Sequence, residues 1–218
     1  MSCHQGAMVS EVKLGYIKDF LQGNSVLDVG AGVGHYSQWL ALQDPTLNIT
    51  AIDLLDTVDA QGFTYKKMDL EKPLAFNDAE FSTVLAFDVI EHIADVRLLL
   101  NELFRVSAPH ATLIGSVPHD KDEFLPEYNL TFKHRSDVTH KRYYTQDSLQ
   151  NALEDAGFCK VQVVALGGVS PHVIAEFFPA IVRTPLKKII GLLRRVGIIN
   201  AQRLHSDLFF VASKKEDV

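Results

Sequence analysis

The segment VLDVGAGVG at residues 26–34 restricts what this chain can fold into more than any other feature. Its apolar start predicts a buried β-strand, and its glycines predict a tight turn that leads into a helix. A glycine turn lets the backbone approach a ligand closely, and the helix N-terminus presents free N–H groups. The segment therefore predicts an α/β fold with a nucleotide or nucleoside site after the first strand.

The spacing of the glycines separates the nucleotides that such a turn binds. A dinucleotide fingerprint reads Gly-x-Gly-x-x-Gly. Here Gly34 comes one residue early, and His35 occupies the position of the dinucleotide glycine. Asp28, inside the strand, is also atypical of a dinucleotide site. The pattern disfavours an NAD-dependent oxidoreductase and makes Asp28, Gly30, Gly32 and Gly34 candidate cofactor-binding residues.

Length and composition predict a single globular domain over residues 1–218, because 47% of the residues are hydrophobic and 22% are charged. The formal net charge of −6 disfavours an extended nucleic-acid interface, so we expect no DNA partner. Two cysteines without metal-ligand spacing favour a reducing compartment, and we expect a cytoplasmic protein. We also expect neither a signal peptide nor a membrane-spanning helix.

Predicted strands and helices alternate along the chain, which favours a doubly wound, mainly parallel, seven-stranded sheet with helices on both faces. A polar, histidine-rich loop at 118–143 is long enough to be functional. An apolar and basic helical insertion at 170–204 precedes the last strand. The first helix is predicted at 9–22 and a later one at 146–156. The strands are predicted at 25–29, 48–52, 63–67, 83–87, 111–117, 161–166 and 208–213.

Four carboxylates lie at or near the carboxyl ends of predicted strands: Asp28, Asp53, Asp69 and Asp88. Ligands of open α/β sheets bind beyond these strand ends, and core packing does not explain four acids at one rim. Asp53 lies about twenty residues past the glycine turn, where an acid accepts hydrogen bonds from both ribose hydroxyls. This signal does not distinguish one ribose-containing cofactor from another.

The chain from about Val26 to Lys214 is similar to the class I S-adenosylmethionine (SAM) methyltransferases, through the run Leu-Asp-Val-Gly-Ala-Gly-x-Gly. The resemblance implies a Rossmann-like methyltransferase fold with SAM as cofactor. It implies that Asp69 accepts from the adenine amino group and that Phe87 and Asp88 lie near the reactive sulfonium. The implied cofactor-binding residues are Asp28, Gly30, Gly32, Gly34, Asp53, Leu54, Asp69, Leu70 and Phe87.

The segment DVIEH at 88–92 carries candidate chemistry after the fourth strand. In one helical turn, Asp88, Glu91 and His92 share a face and are expected to converge. The plainer interpretation is a helix start whose acids lie near the positive dipole end. The segment resembles one in ubiquinone-biosynthesis O-methyltransferases. It also resembles the Glu-x-x-Glu-His motif of small-RNA 3′-terminal 2′-O-methyltransferases, which binds a divalent metal together with a later histidine.

The block DVTHKRYYT at 137–145 resembles one in small-molecule and glycan-linked methyltransferases, and His140 matches its histidine, which His134 does not. Three roles for His140 stay open. It is a general base for a hydroxyl, a metal ligand, or a residue that only fixes the loop. His119, after the fifth strand, is a further catalytic candidate beside His140 and Asp88. The candidate ligands of Mg²⁺ or Mn²⁺ are Asp88, Glu91, His92 and His140.

The stretch 183–203 contains six basic residues and no acid. An apolar helical face runs through it, comprising Leu186, Ile189, Ile190, Leu193 and Val196. A basic amphipathic helix is typical of a peripheral membrane contact, here through 183–199. A lid over the active site and a dimer face are the alternatives.

Together these features predict a SAM-dependent methyltransferase that acts on a hydroxyl oxygen of a small-molecule, glycan or lipid-linked acceptor. The first alternative is a metal-dependent RNA ribose 2′-O-methyltransferase, which the negative net charge of the chain disfavours. The second is a SAM-binding partner subunit without activity. An oligomer is compatible with all three.

Overall fold

The computed structural model describes residues 10–120, 137–166, 175, 178–196, 198 and 207–215. His134, residues 1–9 and parts of the predicted 118–143 loop and 170–204 insertion lie outside the described residues. Within the described part of the chain, seven strands form one sheet in the order β3-β2-β1-β4-β5-β7-β6. The strands are β1 (Ser25–Val29), β2 (Asn48–Asp53), β3 (Thr64–Lys67), β4 (Phe81–Phe87), β5 (Ser107–Pro118), β6 (Cys159–Leu166) and β7 (Asp207–Ser213).

The sheet is mainly parallel, which confirms the predicted doubly wound α/β architecture. Strands β1 to β5 pair in parallel. Strand β7 runs antiparallel to both β5 and β6. The pairing puts the carboxyl ends of β1, β2 and β4 side by side, because Asp28 lies opposite Ala51 on β2 and Leu85 on β4.

Helices connect the strands and begin at recognisable caps. Gly34, in a left-handed conformation, precedes α2, and the Asp95 side chain accepts from the Leu98 N–H at the start of α3. Thr145 and Ser148 form a reciprocal capping box at the start of α4. The helices are α1 (Glu11–Phe20), α2 (His35–Gln43), α3 (Val96–Val106), α4 (Gln146–Asp155) and α5 (Ala180–Arg195), with a 3₁₀ turn at Ile90–His92.

The core lies on both faces of the sheet, as the continuous apolar strands require. Along β4, Val84 and Ala86 pack into one hydrophobic cluster, whereas Leu85 and Phe87 pack into the other. This alternation follows from the two-residue period of a strand. Because both faces are covered, the strand ends are the places where a ligand can reach the sheet.

Strands β4 and β5 begin earlier than the sequence predicts. Phe81 pairs with Ser107, and the register then shifts so that Thr83 pairs with Thr112. His110 adopts a left-handed conformation with φ of 63° within this irregularity. In the sequence, Pro109 and His110 interrupt the apolar pattern on which the predicted start at 111 was based. No helix in the described part of the chain combines the length and hydropathy needed to cross a bilayer.

Candidate active site

The glycine turn after β1 has the backbone that its sequence requires. Gly30, Gly32 and Gly34 have φ values of 64°, 56° and 81°, in the left-handed region that disfavours other residues. A Cβ atom on Gly30 would overlap the Val89 side chain, and one on Gly34 would overlap the Phe63 ring. The turn therefore lies tightly between Phe63, directly before β3, and Val89, after β4.

Substitutions at two of these glycines separate close packing from backbone strain. Gly30→Ala places a methyl group against Val89, and we expect it to lower the free energy of unfolding by about 2 kcal/mol. Gly32→Ala meets nothing within 4 Å, so only the conformational cost of about 1 kcal/mol applies. Urea unfolding of both variants measures the difference. If both variants lose the same free energy of unfolding, the close packing of Val89 against Gly30 is contradicted.

Asp53 connects the end of β2 to the glycine turn. Its Oδ2 accepts a hydrogen bond of 2.8 Å from the Gly32 N–H, and its Oδ1 accepts one of 3.3 Å from the Leu55 N–H. The Ala31 N–H donates to the Ile52 carbonyl at 3.1 Å. These bonds fix the carboxylate beside the turn, where it also lines a cavity.

A cavity of about 360 Å³ opens beside this turn, within the size range of small-molecule sites. Five of its lining residues are predicted cofactor residues, and His92 is a predicted metal ligand. The remaining four were missed. Position alone signals Val89, inside the 88–92 segment, and Ile93, directly after it, whereas Glu71 and Lys141 meet through a 2.8 Å ion pair across 70 residues of sequence. The lining residues are Gly30, Asp53, Leu54, Asp69, Leu70, Glu71, Val89, His92, Ile93 and Lys141.

Asp69 presents an ionised carboxylate to this cavity. Its Oδ1 accepts from the Glu71 N–H at 3.0 Å, and its Oδ2 pairs with the Lys72 ammonium at 3.0 Å. These donors, with the backbone N–H first, hold the pKa of Asp69 below its ordinary value. Asp53 and Asp69 thus offer hydrogen-bond acceptors from two different strand ends.

Asp28 is buried inside β1, with 2% of its surface exposed. The Ser37 hydroxyl on α2 donates to Asp28 Oδ2 at 2.6 Å. Burial raises the pKa of Asp28 to about 6, against the lowering effect of Ser37, and the charge of Asp53 raises it further. Asp28 joins β1 to α2 beneath the turn and is not among the residues that line the cavity.

Asp28→Asn removes a buried carboxyl group whose ionisation destabilises the folded state. Because the folded pKa of about 6 lies above the ordinary 3.8, the free energy of unfolding of the wild type falls as pH rises through this window. Asparagine does not titrate and still accepts from Ser37, so we expect the variant to be more stable at pH 7 by on the order of 2 kcal/mol. Urea unfolding between about pH 4 and pH 7 measures this. An unchanged pH dependence would contradict it, and Asp59→Asn, an exposed acid, is the control.

Residues 88–92 do not form the single α-helical turn that the sequence predicts. Asp88 has a left-handed backbone with φ of 53° and precedes the 3₁₀ turn. Its carboxylate bonds to the Lys13 ammonium and accepts from the Ser116 hydroxyl at 2.6 Å. Asp88 is consequently not part of the group of metal-capable side chains that the described residues bring together. The Lys13 ammonium lies 5.5 Å from the Phe87 ring.

Glu91, His92 and His140 form a compact group, with one ligand atom of each within 4.8 Å of the others. The two imidazole rings lie edge to face with centroids 4.6 Å apart. The Lys141 N–H donates to the Glu91 carbonyl at 2.9 Å, which holds the His140 segment against the 3₁₀ turn. We name these three residues the Glu-His-His cluster.

A hydrogen-bond chain sets the tautomer of His92. The Thr139 hydroxyl donates to Asp137 Oδ1 at 2.6 Å and lies 2.9 Å from His92 Nδ1. Because the hydroxyl has one proton, His92 donates from Nδ1. In the neutral ring this leaves a lone pair on Nε2, which lies 3.9 Å from Glu91 Oε1. In that tautomer His92 offers a hydrogen-bond acceptor to the cluster, and His92 also lines the cavity.

Glu91 is fully buried, and neither carboxylate oxygen has a hydrogen-bond partner among the described residues. Burial raises the pKa of Glu91 to about 8, and the negative charge of Asp88 adds to this effect. A buried carboxyl without partners is costly. The arrangement therefore favours a proton, a cation or a ligand donor at this position.

His119 lies directly after β5, and its backbone bridges to Tyr144 at the end of the 137–145 block. Both side chains are buried. Burial raises the pKa of the Tyr144 phenol to about 12. His119 is not part of the Glu-His-His cluster, and its catalytic role stays a prediction.

Comparison with known proteins agrees with this geometry. The model of a family described as a methyltransferase domain matches residues 10–163. The chain belongs to the class I SAM-dependent methyltransferase family. The fold is also that of a SAM-dependent methyltransferase from Archaeoglobus fulgidus, with a TM-score of 0.65, 20% identity and coverage of 93% of both chains.

Two relatives are O-methyltransferases by name. The ubiquinone biosynthesis O-methyltransferase of Psychrobacter arcticus is 24% identical over 164 residues, which are 67% of this chain and 63% of the relative. The malonyl-[acyl-carrier protein] O-methyltransferase of Erwinia billingiae is 33% identical over 101 residues, which are 44% of this chain and 39% of the relative. This methyltransferase chain thus spans less than two thirds of either relative.

Proposed function

We propose that this protein transfers the methyl group of SAM to a hydroxyl oxygen of a small-molecule, glycan or lipid-linked acceptor. The observation that carries the proposal is the position of His92, which lines the cavity and also belongs to the Glu-His-His cluster. A cofactor in the cavity would thus lie directly beside side chains that accept a proton. The names of the two relatives support an oxygen acceptor.

The cavity offers SAM the groups that a nucleoside requires. Asp53 is the proposed acceptor for the ribose hydroxyls, and Asp69 for the adenine amino group. Leu54 and Leu70 supply apolar walls beside them, since both line the cavity. Gly30 lines the cavity with backbone alone, and its missing Cβ lets Val89 pack against the turn at the same place. Phe87, the last residue of β4, and Asp88, directly after it, are proposed to lie near the sulfonium.

The proposed chemistry needs alignment and one proton acceptor. The acceptor oxygen forms a bond to the methyl carbon while the sulfur–methyl bond breaks, and the sulfonium becomes the thioether of S-adenosylhomocysteine. The hydroxyl proton passes to His140, acting as general base. The ion pair of His140 Nε2 with Asp137 Oδ2, at 3.8 Å, would stabilise the imidazolium that forms.

The Glu-His-His cluster also fits a divalent metal, which is a second candidate. Two imidazoles and one carboxylate suit Mn²⁺, Fe²⁺, Co²⁺ or Zn²⁺ better than Mg²⁺. The Glu91 carboxylate, which accepts no hydrogen bond from the described residues, favours a cation at this position. Glu91, His92 and His140 would hold the ion, which would act as a Lewis acid toward the acceptor hydroxyl. Asp88 is omitted from this set because Lys13 and Ser116 already bond to it.

A turnover assay tests the proposal. The protein is incubated with SAM and a panel of phenols, sugar-linked alcohols, carboxylates, amines and a short RNA, and S-adenosylhomocysteine is measured. We expect turnover with a hydroxyl acceptor. Turnover with carboxylates or amines alone would overturn the proposed hydroxyl acceptor, and turnover with the RNA alone would favour ribose methylation. SAM binding without any turnover would favour an inactive partner subunit. Loss of activity with a chelator, restored by Mn²⁺, would select the metal-dependent form.

A further inference from the structure

Helix α5 exposes apolar side chains on the face that it turns away from the protein. Ile190 is buried, and Leu186 and Leu193, on the same side of the helix, are half-buried. At 100° per residue, Ile181 and Leu192 lie on the opposite side, where they are 87% and 59% exposed. The exposed apolar face comprises Ile181, Ile189, Leu192 and Val196.

This arrangement differs from the apolar stripe that the sequence predicts. The predicted stripe groups Ile189 and Val196 with Leu186, Ile190 and Leu193. In the structure the last three lie toward the protein, whereas Ile189 and Val196 are exposed. Helix α5 is therefore apolar on two sides, and the described residues cover only one of them. An apolar helix face left in water on this scale marks an interaction surface.

Basic residues border the exposed apolar face. Lys188 and Arg195 lie on its edge and are themselves exposed. Six of the 21 Lys and Arg residues fall within 183–203, which contains no acid, so the rest of the chain carries 15 basic and 27 acidic residues. The charge that surrounds this face is thus opposite in sign to that of the remaining chain.

We propose that the exposed face of α5 binds the surface of an anionic lipid bilayer. Ile181 and Leu192 would enter the boundary between headgroups and acyl chains, and Lys188 and Arg195 would pair with lipid phosphates. Charge complementarity selects this occupant. In a contact between two copies, the same cations would meet across a symmetric interface, and no acid in 183–203 is available to pair with them.

Co-sedimentation with lipid vesicles tests the proposal without any need for methyl transfer. Vesicles of phosphatidylcholine with phosphatidylglycerol are compared with vesicles of phosphatidylcholine alone, at low and high salt. We expect the protein to sediment with the anionic vesicles only, and less at high salt. Leu192→Glu and the double variant Lys188→Glu/Arg195→Glu are each expected to lower the partition coefficient by more than about tenfold.

Leu42→Glu is the matched control, because Leu42 lies on α2 and is 75% exposed. It should leave vesicle binding unchanged, and thermal unfolding of each variant shows that the fold is retained. Absence of binding by the wild type, or equal binding by Leu192→Glu, overturns the proposal. Sedimentation velocity tests the other occupant. If the wild type is a dimer that binds no lipid, and Leu192→Glu converts it to a monomer, the face binds a second copy and the lipid proposal is overturned.

Discussion

We expect His140→Asn to lower kcat for methyl transfer to a hydroxyl acceptor by about 10²- to 10⁴-fold, the contribution of a positioned general base. The side chain of His140 is almost fully buried beside His92 and Asp137. In the variant, bulk water therefore does not take over the role of the imidazole as proton acceptor. His140 does not line the cavity. The dissociation constant for S-adenosylhomocysteine should therefore stay unchanged, which separates chemistry from cofactor binding.

His110→Asn is the matched control for this experiment. His110 is exposed near the start of β5 and has a left-handed backbone, which asparagine tolerates. It should retain wild-type kcat. If His140→Asn retains wild-type turnover on a confirmed acceptor, neither the general base nor the metal ligand is a valid role for His140, and the residue only fixes the loop.

Asp53→Ala should weaken the binding of S-adenosylhomocysteine by about 100-fold, or about 2.8 kcal/mol. The variant removes the proposed charge-assisted hydrogen bonds to both ribose hydroxyls. It also removes the acceptor of the Gly32 N–H, so the turn loses a bond that holds its shape. Isothermal titration of the variant and the wild type measures the effect.

Two further variants divide this effect into its parts. Asp53→Asn keeps an acceptor for Gly32 but carries no charge, so it should lose less affinity than Asp53→Ala. Asp59→Ala removes an exposed acid that bonds only locally to Gln61 in the described contacts, and it should bind as the wild type does. Equal binding by all three variants would remove Asp53 from the cofactor site.

The architecture could be predicted because its signals are local. The apolar residues of β1 and the glycines after them indicate a buried strand and a tight turn, and the structure has both. The direction of β7 could not be predicted, because the same alternation of apolar residues suits either direction. The start of β5 was missed because Pro109 and His110 interrupt the apolar pattern that marks the strand.

Part of the cavity lining could be predicted as well, because some of its residues follow the ends of predicted strands. Asp53 and Asp69 follow strand ends, and parallel strands bring such ends to one edge of the sheet. Lys141 was missed because its place depends on an ion pair with Glu71, far away in sequence. The separation of Asp88 from Glu91 depends on Lys13 and Ser116, two distant partners that no local spacing reveals.

Isothermal titration of the wild-type protein with SAM, S-adenosylhomocysteine and NAD tests the central claim, that the cavity beside the glycine turn is a SAM site. We predict a dissociation constant on the order of micromolar for SAM and for S-adenosylhomocysteine, with no heat of binding for NAD. Binding of NAD at similar affinity, or no binding of SAM with or without Mn²⁺, would contradict the assignment of this cavity.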